Sequence, residues 1–354
     1  MSGNNKLKVV LCWHMHQPEY RDRQTGEFQL PWTYLHVIKD YVDMVAHLEA
    51  TPDARAVVNF APILLEQIED YANQVNCFLH DHIDMKDPLL SALAMPSIPA
   101  DIEARLVLIG NCMKANRARQ IDRYPVFAQL VKMAEWVQGQ TDAAQYVNAQ
   151  FIADLLVWYH LSWMGETVKL TDVRVQHLIA KGSHYTLHDR LEIVEVIGEL
   201  LSKVILRYKD LAKKGRIELS VTPYAHPIMP LMLDIKSTYE AMPEAPLPEL
   251  GAYPGGVERV KWHLQQGVAT FKHFFGFEPK GCWPSEGSIS AETIELISDM
   301  GLNWIASGET VLRNSLEKSQ LSTDDCVHSL YKYRDKNISC FFRDDRLSDS
   351  IGFK

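Results

Sequence analysis

The sequence predicts an α/β protein built on a mainly parallel sheet. Short apolar runs alternate with amphipathic stretches, the rhythm of strand, helix and strand. The runs are continuous rather than alternating, as in strands covered on both faces. One block, at about 76–214, carries helical spacing throughout, so a long helical insertion divides the second strand from the third.

Residues 7–13 (LKVVLCW) form the first strand-like run. Helical spacing follows over 36–50 and stops at the breaker Thr51-Pro52-Asp53. AVVNFAP, from Ala56 to Pro62, is the second strand, and a helix is expected over about 63–75. Inside the insertion, residues 100–121, 143–164 and 187–215 all show helical spacing. Pro88, Pro96, Pro99 and Pro125 mark the breaks before and between them. Strands return at 217–224 (IELSVTPY), 279–286 (PKGCWPSE), 303–309 (NWIASGE) and 338–345 (ISCFFRDD). Helices are expected over about 256–275 and over SAETIELISDM, residues 290–300. That makes six core strands, and no internal repeat is evident.

Composition narrows the function classes. The 354 residues are 47% apolar, 23% charged and 10% aromatic, which excludes long disorder and fibrous repeats. The net charge of −9 argues against a nucleic-acid binder, and Arg117, Arg119 and Arg123 read as the solvated face of a helix. Cys12, Cys77, Cys112, Cys282, Cys326 and Cys340 form no CxxC pair, so a zinc ribbon is not expected. The N-terminal MSGNNKLKVVLCWHMH lacks a usable signal peptide, and no run of 18 apolar residues predicts a membrane span. A reducing cytoplasm is the default compartment.

Chemistry in a barrel sits where the strands end at their C-terminal edge. The first run leads into His14-Met15-His16-Gln17-Pro18. Residues two apart on an extended chain share a face, so His14 and His16 can point into one cavity. The third run leads into Thr222-Pro223-Tyr224-Ala225-His226-Pro227, the fourth into Trp283-Pro284-Ser285-Glu286 and the fifth into Ser307-Gly308-Glu309. The sixth carries Arg343, Asp344 and Asp345, with Asp349 just beyond. Each also has a plain structural reading. A single histidine is usually a hydrogen-bonded structural residue. Glu286 could be a carboxylate stabilised at a helix N-terminus, Ser285 a helix cap, and Asp344 with Asp345 a solvated pair. Those readings do not explain why nearly every strand ends this way.

Four runs in order, HMHQP (14–18), GRIELSVTPYAHPIMPLM (215–232), WPSEGS (283–288) and FFRDDRLSD (341–349), resemble glycoside hydrolase family 57, in its α-amylase and amylopullulanase-like branch. The resemblance spans residues 8–354 as a single catalytic-barrel domain. It implies an incomplete (β/α)7 barrel, a retaining mechanism, α-glucan oligo- or polysaccharide substrates and no cofactor. It makes Glu286 the nucleophile that forms a covalent glycosyl-enzyme intermediate. That carboxylate must be ionised, so His14, His226 or Arg343 are expected to support it. Trp283 offers a face for sugar stacking, His16 and Gln17 hydrogen bonds to sugar hydroxyls. His14, His226, Arg343 and Asp349 complete the expected substrate-binding set.

The chain departs from that pattern in one respect. A retaining enzyme needs a second carboxyl group as acid. In the family this is the aspartate of an Asp-Gly-Glu-Asn run on the last strand, downstream of the run that here is Arg343 to Asp349. No Asp-Gly-Glu-Asn occurs, and Lys354 follows five residues after Asp349. The expectation is a fragment with the last barrel strand missing and little hydrolytic activity of its own. Asp344, Asp345 or Asp349 could substitute as acid. Two other readings stand beside this one. A metal-dependent barrel hydrolase, of deacetylase or mannosidase type, could bind zinc through His14, His16, His226 and Asp349. A non-catalytic glucan-binding protein would need no acid.

Overall fold

The computed structural model describes residues 9–242, 244–324 and 326–353. Its sheet has seven strands: β1 (Cys12–Met15), β2 (Ala56–Phe60), β3 (Ile217–Val221), β4 (Gly281–Cys282), β5 (Trp304–Gly308), β6 (Tyr331–Lys332) and β7 (Ser339–Arg343). They lie in the order β1-β2-β3-β4-β5-β7-β6. Every pairing is parallel except β6 on β7. Parallel neighbours in chain order, separated by helices, form the half-barrel of an incomplete (β/α)7 fold.

Six expected strands correspond to β1, β2, β3, β4, β5 and β7. The two-residue β6 escapes sequence reading because two residues carry no periodicity. The first strand is displaced from the expected 7–13 to Cys12–Met15, so His14 lies within it. Residues 7 and 8 fall outside the described residues.

Register sorts the strand residues onto two faces. One face presents Met15, Val58, Phe60, Leu219, Val221, Cys282, Ile305 and Cys340, all buried. Burying such side chains stabilises the fold by roughly 1.5–3 kcal/mol apiece for the larger ones. The other, inner face presents Cys12, His14, Asn59, Glu218, Ser220, Trp304, Phe341 and Arg343. Low on this face Trp304 lies over Gly281, where an added Cβ would sit 1.8 Å from the indole. The indole Nε1 donates to Glu218 Oε1 at 2.6 Å. Only glycine lets the ring take this place.

Two compact units divide the chain. The sheet unit comprises Met1–Pro18, Asp53–Leu65 and Lys209–Lys354, the helical unit Glu19–Pro52 and Glu66–Tyr208. Helices fill the interval between β2 and β3, from Pro62–Asp81 to Leu187–Lys213. The expected 63–75 helix continues to Asp81. The expected 36–50 helix starts earlier, at Trp32, and passes through a π-turn at Val37–Tyr41. Within 143–164 the helical pattern breaks at Asn148, whose side chain caps the helix Ala149–Trp163 by accepting from Phe151 N. Asp87, Asp101 and Asp172 cap their helices in the same way. The core of this unit is aromatic and holds two buried polar pairs. Tyr71 Oη donates to Asp87 at 2.6 Å, and Tyr34 Oη lies 2.9 Å from His160 Nε2. Among the described residues no helix is long and apolar enough to cross a membrane.

Candidate functional site at the strand ends

The site grows from one polar residue in an apolar strand. Asn59 is fully buried in β2, paired in register with His14 on one side and Ser220 on the other. Its Nδ2 donates to Ser220 Oγ at 3.1 Å, which turns Oδ1 toward β1. His14 Nδ1 lies 2.7 Å from that oxygen and can only donate to it. The proton therefore sits on Nδ1, leaving the lone pair on Nε2. Thr222 Oγ1, also buried, lies 2.8 Å from Asn59 Oδ1 and 2.8 Å from the Trp283 carbonyl. This network joins the ends of β1, β2, β3 and β4.

His16 follows β1 by one residue and sits on the same side as His14, as alternation requires. His226 arrives from the turn after β3 in a left-handed conformation, φ 57°. The three rings converge. His14 stands 5.5 Å from His16 and 5.3 Å from His226, centroid to centroid, and His16 stacks on His226 at 3.9 Å and 16°. One ring nitrogen from each lies within 4.8 Å of the other two. Burial pushes the pKa of His16 and of His226 down to about 4, helped by their histidine neighbours. His14 is also lowered, chiefly by burial, against the opposing pull of Asn59 and Glu286. As a whole residue His14 is exposed. All three are neutral at pH 7.

Glu286 sits at the centre of a tight turn, Ser285–Gly287, just past β4. Its φ is 54° and that of Gly287 is +67°. A non-glycine residue held there costs about 1–3 kcal/mol. The turn is held by Ser307 Oγ donating to the Gly287 carbonyl at 2.5 Å and by Gly287 N donating to Pro284 O at 2.8 Å. The result is a carboxylate lifted off the sheet, its side chain 74% exposed, with Oε1 3.9 Å from His226 Nδ1. That is close approach but not a hydrogen bond. Glu286 is an electrostatic neighbour of His14 and His16, and with both rings neutral any support they give is that of imidazole dipoles rather than a full positive charge.

The remaining expected residues divide. Trp283 is half-buried beside the turn, its N donating to Val221 O at 2.9 Å. The Arg343 guanidinium lies 5.9 Å from its ring, so the indole expected to meet sugar already has a cation near its face. Gln17 is half-buried just past β1. The aspartates are engaged locally. Asp344 Oδ1 accepts from Leu347 N at 2.8 Å and caps the helix Asp345–Phe353. Asp345 accepts from Arg343 Nε at 2.7 Å. Asp349 is exposed on that helix and stands outside the histidine cluster, so three of the four expected zinc ligands come together. Sequence reading missed Asn59 and Ser220, and placed Thr222 at the strand end without a role. Asn59 had a signal, being the single polar residue in the run AVVNF.

The fold defines an α/β half-barrel with its polar groups gathered at the strand ends. The family model for glycosyl hydrolase family 57 matches residues 10–354, and the chain belongs to that family. Similar solved structures include the α-amylase AmyC from Thermotoga maritima, 12% identical, with a TM-score of 0.53. That match covers 97% of this chain and 47% of the amylase, so the chain spans about half the amylase's length. A branching enzyme from Pyrococcus horikoshii is 13% identical with a TM-score of 0.46, over 95% of this chain and 47% of the enzyme. A branching enzyme from Thermococcus kodakaraensis, solved with glucose and additives, is 15% identical with a TM-score of 0.43, over 94% of this chain and 46% of the enzyme. No curated protein sequence matches the chain.

Proposed function

We propose that the chain carries the nucleophile side of a retaining glycoside hydrolase or transglycosylase acting on α-glucans, with Glu286 as nucleophile. The observation behind this is the Glu286 turn. A carboxylate in a left-handed conformation, on a turn held by Ser307, projects beside three neutral histidines at the barrel's strand ends. The same left-handed φ occurs at exposed His82, His184, Gln320 and Arg334, so what distinguishes Glu286 is its place beside His226 at the strand ends. Attack by this carboxylate on an anomeric carbon forms a glycosyl ester and expels the leaving oxygen, which then requires a proton. His14 Nε2 carries a lone pair and can accept a hydrogen bond from a sugar hydroxyl, as His16 and Gln17 can exchange others. Trp283 and Arg343 together form one wall for the sugar ring. Family membership and the fold of the Thermotoga maritima amylase support α-glucans as the substrate class.

The acid is the open part of the reading. Asp344 and Asp345 are engaged in a helix cap and an ion pair, and Asp349 faces solvent. The 354-residue chain is therefore expected to turn over maltooligosaccharides poorly. Substrates whose leaving group needs no protonation separate the two steps. α-Glucosyl fluoride should release about one fluoride per chain in a burst, because the missing acid would also serve as the base for hydrolysis of the glycosyl ester. Maltoheptaose should not be cleaved, and Glu286→Gln should abolish the burst. Fluoride release undiminished in Glu286→Gln would refute the assignment.

A further inference from the structure

We propose that His14, His16 and His226 form a binding site for one divalent transition-metal ion of the zinc, cobalt or nickel class. The inference goes beyond the glycosidase reading but shares its residues: a bound ion would take the His14 Nε2 lone pair offered there to a sugar hydroxyl, so ion and sugar would compete. Three observations carry it. Three imidazoles from two different strand ends place a nitrogen each within 4.8 Å of the others. Asn59 accepts from His14 Nδ1 and so presents the Nε2 lone pair, the orienting arrangement typical of metal-ligating histidines. Finally, the His226 side chain is only 8% exposed, and its Nε2 is buried without a hydrogen-bond partner.

Imidazole donors select borderline cations over Ca²⁺ or Mg²⁺, which prefer oxygen. Zinc bound at ~2.0–2.1 Å per nitrogen would bring the three nitrogens to roughly 3.4 Å apart. The cluster must therefore contract, and His16 must tilt out of its stack on His226. Rotation about the Cβ–Cγ bond of half-exposed His16 is the motion this needs. Three protein ligands leave a position open to water or a hydroxyl on the inner face.

The test uses the full chain, stripped with a chelator and dialysed. Zn²⁺ is titrated by calorimetry and Co²⁺ by visible absorption. The expected result is one ion per chain and the intense Co²⁺ bands of a four- or five-coordinate site. His226→Ala and His14→Ala should weaken binding by more than about 100-fold, and Asn59→Ala by about 10-fold. Melting curves establish that each variant is folded. Zn²⁺ should also shift the ring ¹⁵N resonances of His14, His16 and His226 together in the unaltered chain, a readout that needs no variant. Absence of binding, affinity unchanged in both histidine variants, or ¹⁵N shifts confined to other histidines would overturn the proposal. Because zinc is read without substrate and fluoride release without zinc, failure of one reading is distinguishable from failure of the other.

Discussion

Asn59→Ala tests the network that orients the site. The side chain makes three hydrogen bonds, to His14 at 2.7 Å, Ser220 at 3.1 Å and Thr222 at 2.8 Å. Their losses are unequal. His14 is exposed as a residue, so the loss of that bond is taken at about 1 kcal/mol. Thr222 keeps the Trp283 carbonyl at 2.8 Å and loses little. Ser220 is fully buried, and its hydroxyl loses the amide donor, at about 1–3 kcal/mol. The truncated amide leaves a small void that adds to this. Together the variant should lose about 2–4 kcal/mol, read as a shift of the urea midpoint followed by tryptophan fluorescence. Long-range ¹H–¹⁵N spectra should show His14 changing from a single Nδ1-protonated tautomer to a mixture. A loss under about 0.5 kcal/mol with His14 still wholly Nδ1-protonated would refute the network as drawn.

Other perturbations separate neighbouring effects. In the helical unit, burial raises Asp87 to about 6, so the folded state holds a proton the unfolded chain has released. Stability from this group therefore falls as pH rises from about 4 to about 6, by about 3 kcal/mol. Burial lowers His160 to about 4, which has the opposite sign: stability falls as pH drops from 6.5 toward 4. The two offset in the unaltered chain. Asp87→Asn should leave only the histidine slope and make the unit visibly more acid-labile in urea melts at pH 4.5 than at 6.5; equal melts would contradict this. Gly281→Ala should displace Trp304 and break its bond to Glu218, costing about 3 kcal/mol or more and shifting the tryptophan emission. An unshifted spectrum with full stability would show that the indole does not cover this glycine. Ser307→Ala removes the bond that holds Gly287. It should slow fluoride release more than it lowers stability, and the reverse order would place Ser307 in a structural role alone.

Much of the fold was legible because the signals are local. The helix Gly256–Phe275 matches its spacing end to end, and five of the six parallel strands fall inside the apolar runs that predict them. The two-residue β6 was not legible, and the Pro62–Asp81 helix runs past the expected 75, where Phe78 and Leu79 continue the stripe of Tyr71 and Val75 at helical spacing. At the site, His14 and His16 were placed together by alternation alone. The arrival of His226 from β3, and its stacking on His16, depend on a left-handed turn that residue identity does not announce. Glu286 was singled out through the family resemblance of WPSEGS, but its left-handed backbone, beside the bond from Ser307 to the Gly287 carbonyl, was not legible. The aspartates of FFRDDRLSD show the limit from the other side. Their spacing fits a catalytic strand end, yet the chain uses two of them to start a helix and hold an arginine.

The central claim, that Glu286 is the nucleophile, is met most directly by trapping. An activated 5-fluoro-α-glucosyl fluoride should add one fluoroglucosyl mass to the chain, and peptide mapping should place it on Glu286. Glu286→Gln should take up no label. Label on another carboxylate, or on none while α-glucosyl fluoride is still consumed, would contradict the account.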